Sequence, residues 1–203
     1  MKKFIVFEGI DGSGKSTQLR LLAKSLEIRG LKFFCTREPG GSYVSELIRK
    51  ILVKRQKENI LPLTELLLIY AARNEHLKKK IVPNLKNRIV LCDRYFYSTY
   101  CYQILTSNIP LSILKYLHSK VTNNLMPDLT LVIDIDFEIG IKRSLKKGER
   151  VELRGFGVFS SKIQKARISR NPKTNEKINT PEKKTINFKM SKDLFKILNN
   201  EKK

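Results

Sequence analysis

The residues most able to do chemistry lie near the start of the chain: Gly9, Ile10, Asp11, Gly12, Ser13, Gly14, Lys15, Ser16 and Thr17. Gly9 to Ser16 fit the pattern G-x-x-x-x-G-K-[ST], which builds a phosphate-binding loop. Glycines let the backbone curl until successive N–H groups face phosphate oxygens. The helix that follows adds the positive end of its dipole. In this pattern Lys15 is a point charge for β- and γ-phosphates, and the Ser16 hydroxyl is a ligand for Mg²⁺. Further along, Arg37-Glu38-Pro39-Gly40-Gly41 puts two charges into a stretch that Pro39 and two glycines shape into a tight loop. Arg73 sits among small residues, as a snorkelling side chain or an anion anchor. Asp93 ends an apolar run beside Arg94, and an acid there is the usual helper of a Mg²⁺ shell. The segment from Tyr95 to Gln103 carries four tyrosines, Ser98 and Gln103, all hydrogen-bonding groups.

These groups need a scaffold, and the apolar patterning supplies one. Phe4–Phe7, Lys32–Thr36, Ile89–Asp93 and Leu129–Asp134 read as strands, apolar throughout rather than alternating. Leu19, Leu22, Ala23 and Leu26 mark one face of a helix after the first strand. Residues 43–55, 63–86, 111–124 and 137–147 read as further helices. Strand and helix in alternation predict an α/β fold, a P-loop parallel sheet with helices on both faces. In such a sheet the loops at the carboxyl ends of the strands bind ligands. The charged loops named above all fall there.

The 203 residues suffice for one good-sized core, or one core with a small appendage. No apolar run approaches the roughly 20 residues that span a membrane. The N-terminus passes from Lys2-Lys3 directly into strand, so no signal peptide is expected. Cys35, Cys92 and Cys101 are odd in number and scattered. They read as small core residues in a reducing cytosol, so the expected localisation is cytoplasmic. His76 and His118 are too far apart in sequence to suggest a metal pair, and ordinary surface or helix positions are expected for them. The net charge is +22, and residues 148–203 hold 15 Lys and Arg against 6 Asp and Glu. A polyanion is one partner such a tail suits. A Lys-, Ile- and Asn-rich composition also raises the charge without any function, which is the preferred reading for the first 147 residues.

The ordered set of phosphate loop, Arg37-Glu38-Pro39-Gly40-Gly41, Ala72-Arg73, Asp93-Arg94-Tyr95, Tyr102-Gln103 and Pro127-Asp128-Leu129-Thr130 resembles the thymidylate kinase family over residues 1–147. The resemblance implies transfer of the ATP γ-phosphate to dTMP, giving ADP and dTDP, with Mg²⁺. It implies that Gly9 to Thr17 bind ATP and that Lys15, Arg94 and Asp11 are the catalytic group. Ser16 and Asp93 would serve the metal. Asp11 and Glu38 would line the deoxynucleotide site, with Asp11 near the sugar 3′-hydroxyl. Arg73 and Arg94 would grip the acceptor phosphate and the transferring group. Tyr102 and Gln103 would face base and sugar, and Ser98 would help hold the base region. Two departures stand out. Ile69 occupies a place where the family usually has a Phe stacked on thymine, a change worth on the order of 1 kcal/mol of base affinity. The loop Gly9 to Ser16 has no arginine, a case in which the family carries one in a lid further on. Arg150 is a candidate to replace it.

From Gly148 onward a different pattern is visible. Gly148-Glu149-Arg150-Val151-Glu152-Leu153-Arg154-Gly155-Phe156-Gly157-Val158-Phe159, then Arg170-Asn171-Pro172-Lys173-Thr174, then Phe188-Lys189 and Lys192-Asp193-Leu194 resemble the C-terminal half of the HU/integration-host-factor family. Val151, Leu153 and Val158 alternate as strand residues, and Gly155-Phe156-Gly157 marks a bend. The resemblance implies a small β-rich segment with a β-arm, whose Arg170, Asn171, Pro172 and Lys173 reach a DNA minor groove. Asn175 stands where Gly is usual at the arm tip, and Asn tolerates a left-handed conformation. The two N-terminal helices through which that family dimerises are not present as such. The expected division is therefore a kinase-like domain, 1–147, and an HU-like half-domain, 148–203. ATP and dTMP are the expected partners, DNA is a candidate partner of the tail, no membrane is expected, and there is room for a homodimer. The alternatives to a kinase are a nucleoid-type DNA-binding protein and a fusion with neither activity.

Overall fold

A computed structural model of the chain describes residues 3–54, 58–153, 155–170, 175 and 177–199. It divides into two compact units, 1–134 and 135–203. Among the described residues no helix is long and apolar enough to cross a membrane.

The first unit is an α/β fold around four parallel strands: β1 (Lys3–Glu8), β2 (Phe33–Arg37), β3 (Ile89–Asp93) and β4 (Leu129–Val132), in the order β2-β3-β1-β4. The register pairs Phe7 with Asp93 and Arg37 with Asp93, so three strands end level with one another. Alternate residues of these strands feed opposite faces. Phe4, Val6, Val90 and Cys92 pack with Leu77, Ile81 and Tyr95 on one side. Phe7, Ile89 and Leu91 pack with Leu19 and Leu26 on the other. Both faces are covered, which explains strands that are apolar throughout. The helices are α1 (Lys15–Ile28), α2 (Tyr43–Val53), α3 (Pro62–His76), α4 (Val82–Leu85), α5 (Phe96–Thr99) and α6 (Leu111–Thr122). Leu66, Tyr70, Ile104 and Leu114 make a third cluster, joining α3 to α6.

Several elements differ from expectation. The helix read over 63–86 is α3, a π-helical turn over Leu77–Ile81, then α4. Pro83 has no N–H to return to the preceding turn, and the ladder widens just before it. A second π turn, Tyr100–Ile104, follows α5 and carries Tyr102 and Gln103. The fourth strand stops at Val132, two residues early. It lies at the sheet edge, with Leu129 and Val132 exposed. Of the three cysteines only Cys92 is in the core, while Cys35 and Cys101 are exposed. Neither histidine is on the surface: Thr36 and Glu38 meet His76, and the rings of Tyr70, Tyr95 and Phe96 pack against His118.

The second unit opens with α7 (Phe137–Lys146), where Asp136 accepts from the Glu138 N–H at 2.7 Å. Strands β5 (Val151–Leu153), β6 (Gly157–Gln164) and β9 (Lys183–Met190) form an antiparallel sheet in the order β5-β6-β9. Phe156, Phe159 and Phe188 cluster on it, with ring centroids 4.8–6.2 Å apart. Strands β7 (Arg167–Arg170) and β8 (Lys177–Thr180) pair separately as a hairpin. Asn175 has φ +58°, the left-handed conformation expected of it, and its side-chain oxygen accepts from Arg170 Nη1 at 3.3 Å. Asn171, Pro172 and Lys173 lie outside the described residues. Ser191 caps α8 (Lys192–Leu198) by accepting from the Leu194 N–H at 3.0 Å.

Candidate functional site

Because β1, β2 and β3 end level, their loops meet at one edge of the sheet. After β1 the chain turns through Gly9 to Gly14. Gly9 has φ +143°, and a Cβ there would stand 2.6 Å from the Ile133 carbonyl oxygen, so only glycine fits between β1 and the end of β4. Gly14 is left-handed and caps α1, so Lys15 and Ser16 begin the helix with their N–H groups uncommitted within it. Lys15 folds back over the loop and its ammonium donates to the Ile10 carbonyl at 2.8 Å. Burial lowers its pKa, Arg94 adds to this, and Asp93 opposes it. Ser13 is buried and its hydroxyl has no hydrogen-bond partner among the described residues. Ile10, Ser16 and Thr17 are exposed.

The Asp93-Arg94 pair reaches the same place from β3. Ser16 Oγ donates to Asp93 Oδ2 at 2.7 Å. Arg94 is left-handed at φ +71° and pairs with Asp11 at 2.5 Å. Its other terminal nitrogen donates to Ser98 Oγ at 2.9 Å, and its guanidinium lies 5.2 Å above the Tyr102 ring. Burial works against this charge, but Tyr102 and Asp11 outweigh it and raise the arginine's pKa. A left-handed arginine costs backbone energy, which the surrounding contacts must offset. The loop after β1 and the residues after β3 thus hold each other through two contacts, Ser16–Asp93 and Asp11–Arg94.

The residues after β2 complete the third side. Glu38 is buried. Arg73 Nε donates to its Oε2 at 2.6 Å, and His76 Nδ1 is 3.1 Å from its Oε1. Burial pushes this carboxyl up, while Arg73 and His76 together bring it below the ordinary carboxylate range. Arg73 is 1% exposed and sandwiched between the Tyr70 and Tyr95 rings at 4.8 and 4.7 Å. Its Nη2 donates to the Tyr95 carbonyl and to Thr99 Oγ1, and Nη1 has no hydrogen-bond partner among the described residues. Arg73 is therefore an internal residue rather than a snorkelling one. Gln103, also buried, donates its amide to Glu65 at 3.0 Å.

Three residues not foreseen from sequence help to build this edge. Glu8, buried at the end of β1, accepts from the N–H groups of Tyr95 and Ser98 and from Ser98 Oγ, at 2.9, 3.2 and 2.5 Å. An acid directly after an apolar run was the available signal. Arg49 of α2 donates to the Pro39 carbonyl at 2.8 Å. Burial lowers its pKa, and the neighbouring charges of Arg37, Arg94 and Asp93 also act on it. Only its partners reveal it. His76 is the third. Arg150 pairs with Glu152 at 2.7 Å within the second unit. Arg170 belongs to the hairpin of the second unit.

The Ser16 hydroxyl and the Asp93 carboxylate are hard oxygen donors converging at a helix start. Mg²⁺ is commonly held by one or two such groups, several waters and the phosphates of a substrate. Among the described residues no three His, Cys, Asp or Glu side chains form a metal cage. The donor set fits Mg²⁺ brought in with a nucleotide.

A parallel sheet with this loop at a helix start defines the class, a P-loop α/β phosphotransferase. A family model described as thymidylate kinase matches residues 7–187, further along the chain than the motifs that carry the resemblance. The thymidylate kinase of Rickettsia typhi is 45% identical over 142 residues, covering 70% of this chain and 68% of that protein. That of Pseudomonas fluorescens is 42% identical over 161 residues, covering 78% and 77%. The crystal structure of thymidylate kinase from Ehrlichia chaffeensis superposes with a TM-score of 0.62 at 42% identity, covering 70% of this chain and 77% of that one. The chain belongs to the thymidylate kinase family.

Proposed function

We propose that the chain transfers the γ-phosphoryl group of ATP to the phosphate of dTMP, giving ADP and dTDP for dTTP synthesis in the cytoplasm. One observation carries the reading: the phosphate loop and the Asp93-Arg94 pair meet through Ser16–Asp93 and Asp11–Arg94, beside the buried Glu38–Arg73 pair. In the transfer the bond from the γ-phosphorus to its bridging oxygen breaks, and an oxygen of the dTMP phosphate forms the new bond. No covalent enzyme intermediate is needed, so catalysis is positioning and charge neutralisation. The backbone from Gly9 to Thr17 cradles the donor phosphates, and Lys15 leaves the Ile10 carbonyl to meet their β- and γ-oxygens. Ser16 and Asp93 would hold Mg²⁺, which would supply positive charge against the charge developing on the phosphates. Arg94 stabilises the transferring group, and Asp11, its partner here, orients the acceptor sugar. Glu38, Arg73, Ser98, Tyr102 and Gln103 line the acceptor site, with Arg73 Nη1 the guanidinium nitrogen left for a ligand. Ile69 provides packing but no π face for the base.

Purified chain with ATP and Mg²⁺ is expected to release ADP only when dTMP is added, and Lys15→Ala to lower that rate at least about 100-fold. No dTMP-dependent release from the unaltered chain would overturn the proposal. Residues 148–203 lack the lid pattern expected from the family resemblance, and we place turnover below that of the relatives for this reason. The proposed division remains 1–147 and 148–203, the second part HU-like.

A second reading adds DNA binding through that part. The hairpin β7–β8 presents Arg167, Arg170 and Lys177, all exposed, and Arg170, Asn171, Pro172 and Lys173 are the proposed contacts. Homodimer formation is the proposed assembly. The exposed apolar side chains Leu63 and Leu67 of α3 and Tyr116 of α6 support it.

A further inference from the structure

We infer that His76 is a positioning residue of the acceptor-nucleotide site, through a hydrogen-bond chain running from β2 across α3 to Arg73. The inference rests on the acceptor site proposed above. His76 is fully buried, one helical turn beyond Arg73 on α3. Its Nε2 is 2.6 Å from Thr36 Oγ1, and its Nδ1 is 3.1 Å from Glu38 Oε1. Glu38 is held in its ionised form, so it accepts and Nδ1 carries a proton. In the neutral ring Nε2 then accepts from the Thr36 hydroxyl. The chain therefore runs from Thr36 through His76, whose Nδ1 donates to Glu38, with Arg73 Nε donating to the remaining Glu38 oxygen at 2.6 Å.

Each link removes one freedom. Both Glu38 oxygens are engaged, so the carboxylate cannot rotate. Arg73 Nε meets a fixed acceptor, and Nη2 is tied to Tyr95 and Thr99. The two tyrosine rings hold the guanidinium plane. What remains is Nη1, buried and without a partner among the described residues. A buried donor left in this state costs free energy in the resting protein, and an arriving acceptor recovers it. The same ring also shapes the loop. A Cβ on Gly41, at φ +84°, would collide with His76 Nε2 and with Thr36 Oγ1, so the loop backbone lies directly against the Thr36–His76 link. His76 touches no reacting atom on this account. It sets where Glu38, Arg73 and the Glu38–Gly41 loop stand before the acceptor arrives.

The test uses full-length protein, with dTMP affinity measured by titration calorimetry and steady-state rates measured with each substrate varied. His76→Ala is expected to weaken dTMP binding at least about tenfold, in Kd and in KM, while KM for ATP stays within about twofold. His76→Asn, which keeps a donor near Glu38, is expected to recover most of that loss. His76→Gln, which reaches towards Thr36 but not Glu38, is expected not to. Thr36→Val tests the first link without altering the ring and is expected to weaken dTMP binding about threefold. Equal losses for ATP and dTMP, or His76→Asn no better than His76→Ala, would reduce His76 to a packing residue and overturn the inference. If the unaltered chain binds dTMP without phosphorylating it, the transfer reading falls, and the Kd values of the variants still decide the role of His76. If it binds no dTMP, both fall together.

Discussion

At the scale of single residues, the site is built mainly from charges that are buried and paired. Glu38 with Arg73 is a buried ion pair in which Glu38 also meets His76 and Arg73 Nη2 donates to Tyr95 and Thr99, contacts that offset part of its desolvation cost. His118 is the contrasting case. It is 4% exposed, packed edge-on against Tyr95 and Phe96 at 5.9 and 4.7 Å, and neither ring nitrogen meets a hydrogen-bonding partner among the described residues. Burial, with the Arg73 charge adding to it, pushes its imidazole down to about 4. An unfolded histidine titrates near 6.5. Between those values the unfolded chain binds the extra proton, so stability is full above about 6.5 and is lost as pH falls towards 4. The loss is expected to be on the order of 3 kcal/mol, read as a falling urea midpoint. His118→Phe is expected to flatten that slope. An identical slope in both proteins would refute the assignment.

At the scale of elements, the sheet register is the main device. Parallel strands ending level bring Gly9, Glu38 and Asp93 to one edge although they are far apart in sequence. Short helix α5 and the π turn after it then carry Ser98, Tyr102 and Gln103 towards the same edge. Widened helical turns of this kind occur often at functional sites. β4 ends the sheet with Leu129 and Val132 exposed, and an unpaired edge is a template for association. The helical face of α3 and α6 is the surface proposed for the homodimer. Light scattering is expected to give twice the chain mass for the unaltered protein and one chain mass for Leu67→Glu, whose position is 48% exposed in the single chain. A single-chain mass for the unaltered protein would remove the dimer.

At the scale of the whole molecule, charge distribution separates the two units in kind. The first unit pairs several of its site charges, as in Glu38–Arg73 and Asp11–Arg94. The second carries cations along a hairpin whose side chains are largely exposed. Such a surface binds polyanions by releasing counterions, so affinity falls steeply with salt. In gel shifts with AT-rich duplex DNA, the unaltered chain is expected to bind at low salt and to release between about 50 and 200 mM. Arg170→Glu with Lys177→Glu is expected to weaken this binding at least about tenfold and leave dTMP-dependent turnover unchanged. Equal binding by both proteins would take DNA recognition away from the hairpin.

The sequence by itself determined the local parts. A phosphate loop is a run of consecutive residues whose backbone conformations depend on their own glycines, so Gly9 to Thr17 could be read directly. The apolar strands were legible because a sheet covered on both faces requires apolar side chains at every position, as in Ile89 to Cys92. Asp93 and Ser16 could be expected near each other because an acid that ends an apolar strand beside a phosphate loop is the usual helper of a Mg²⁺ shell. The tertiary structure decided which charge meets which. Glu8 with Ser98, Glu38 with Arg73 and His76, and Arg49 with Pro39 depend on side chains from different elements arriving within about 3 Å, where hydrogen bonds form. Of the surface or helix positions expected for His76 and His118, the helix part held, in α3 and α6, and the surface part failed for the same reason. Burial is a property of what packs above a residue, and in His76 that is a strand threonine and a loop glutamate forty and thirty-eight positions away.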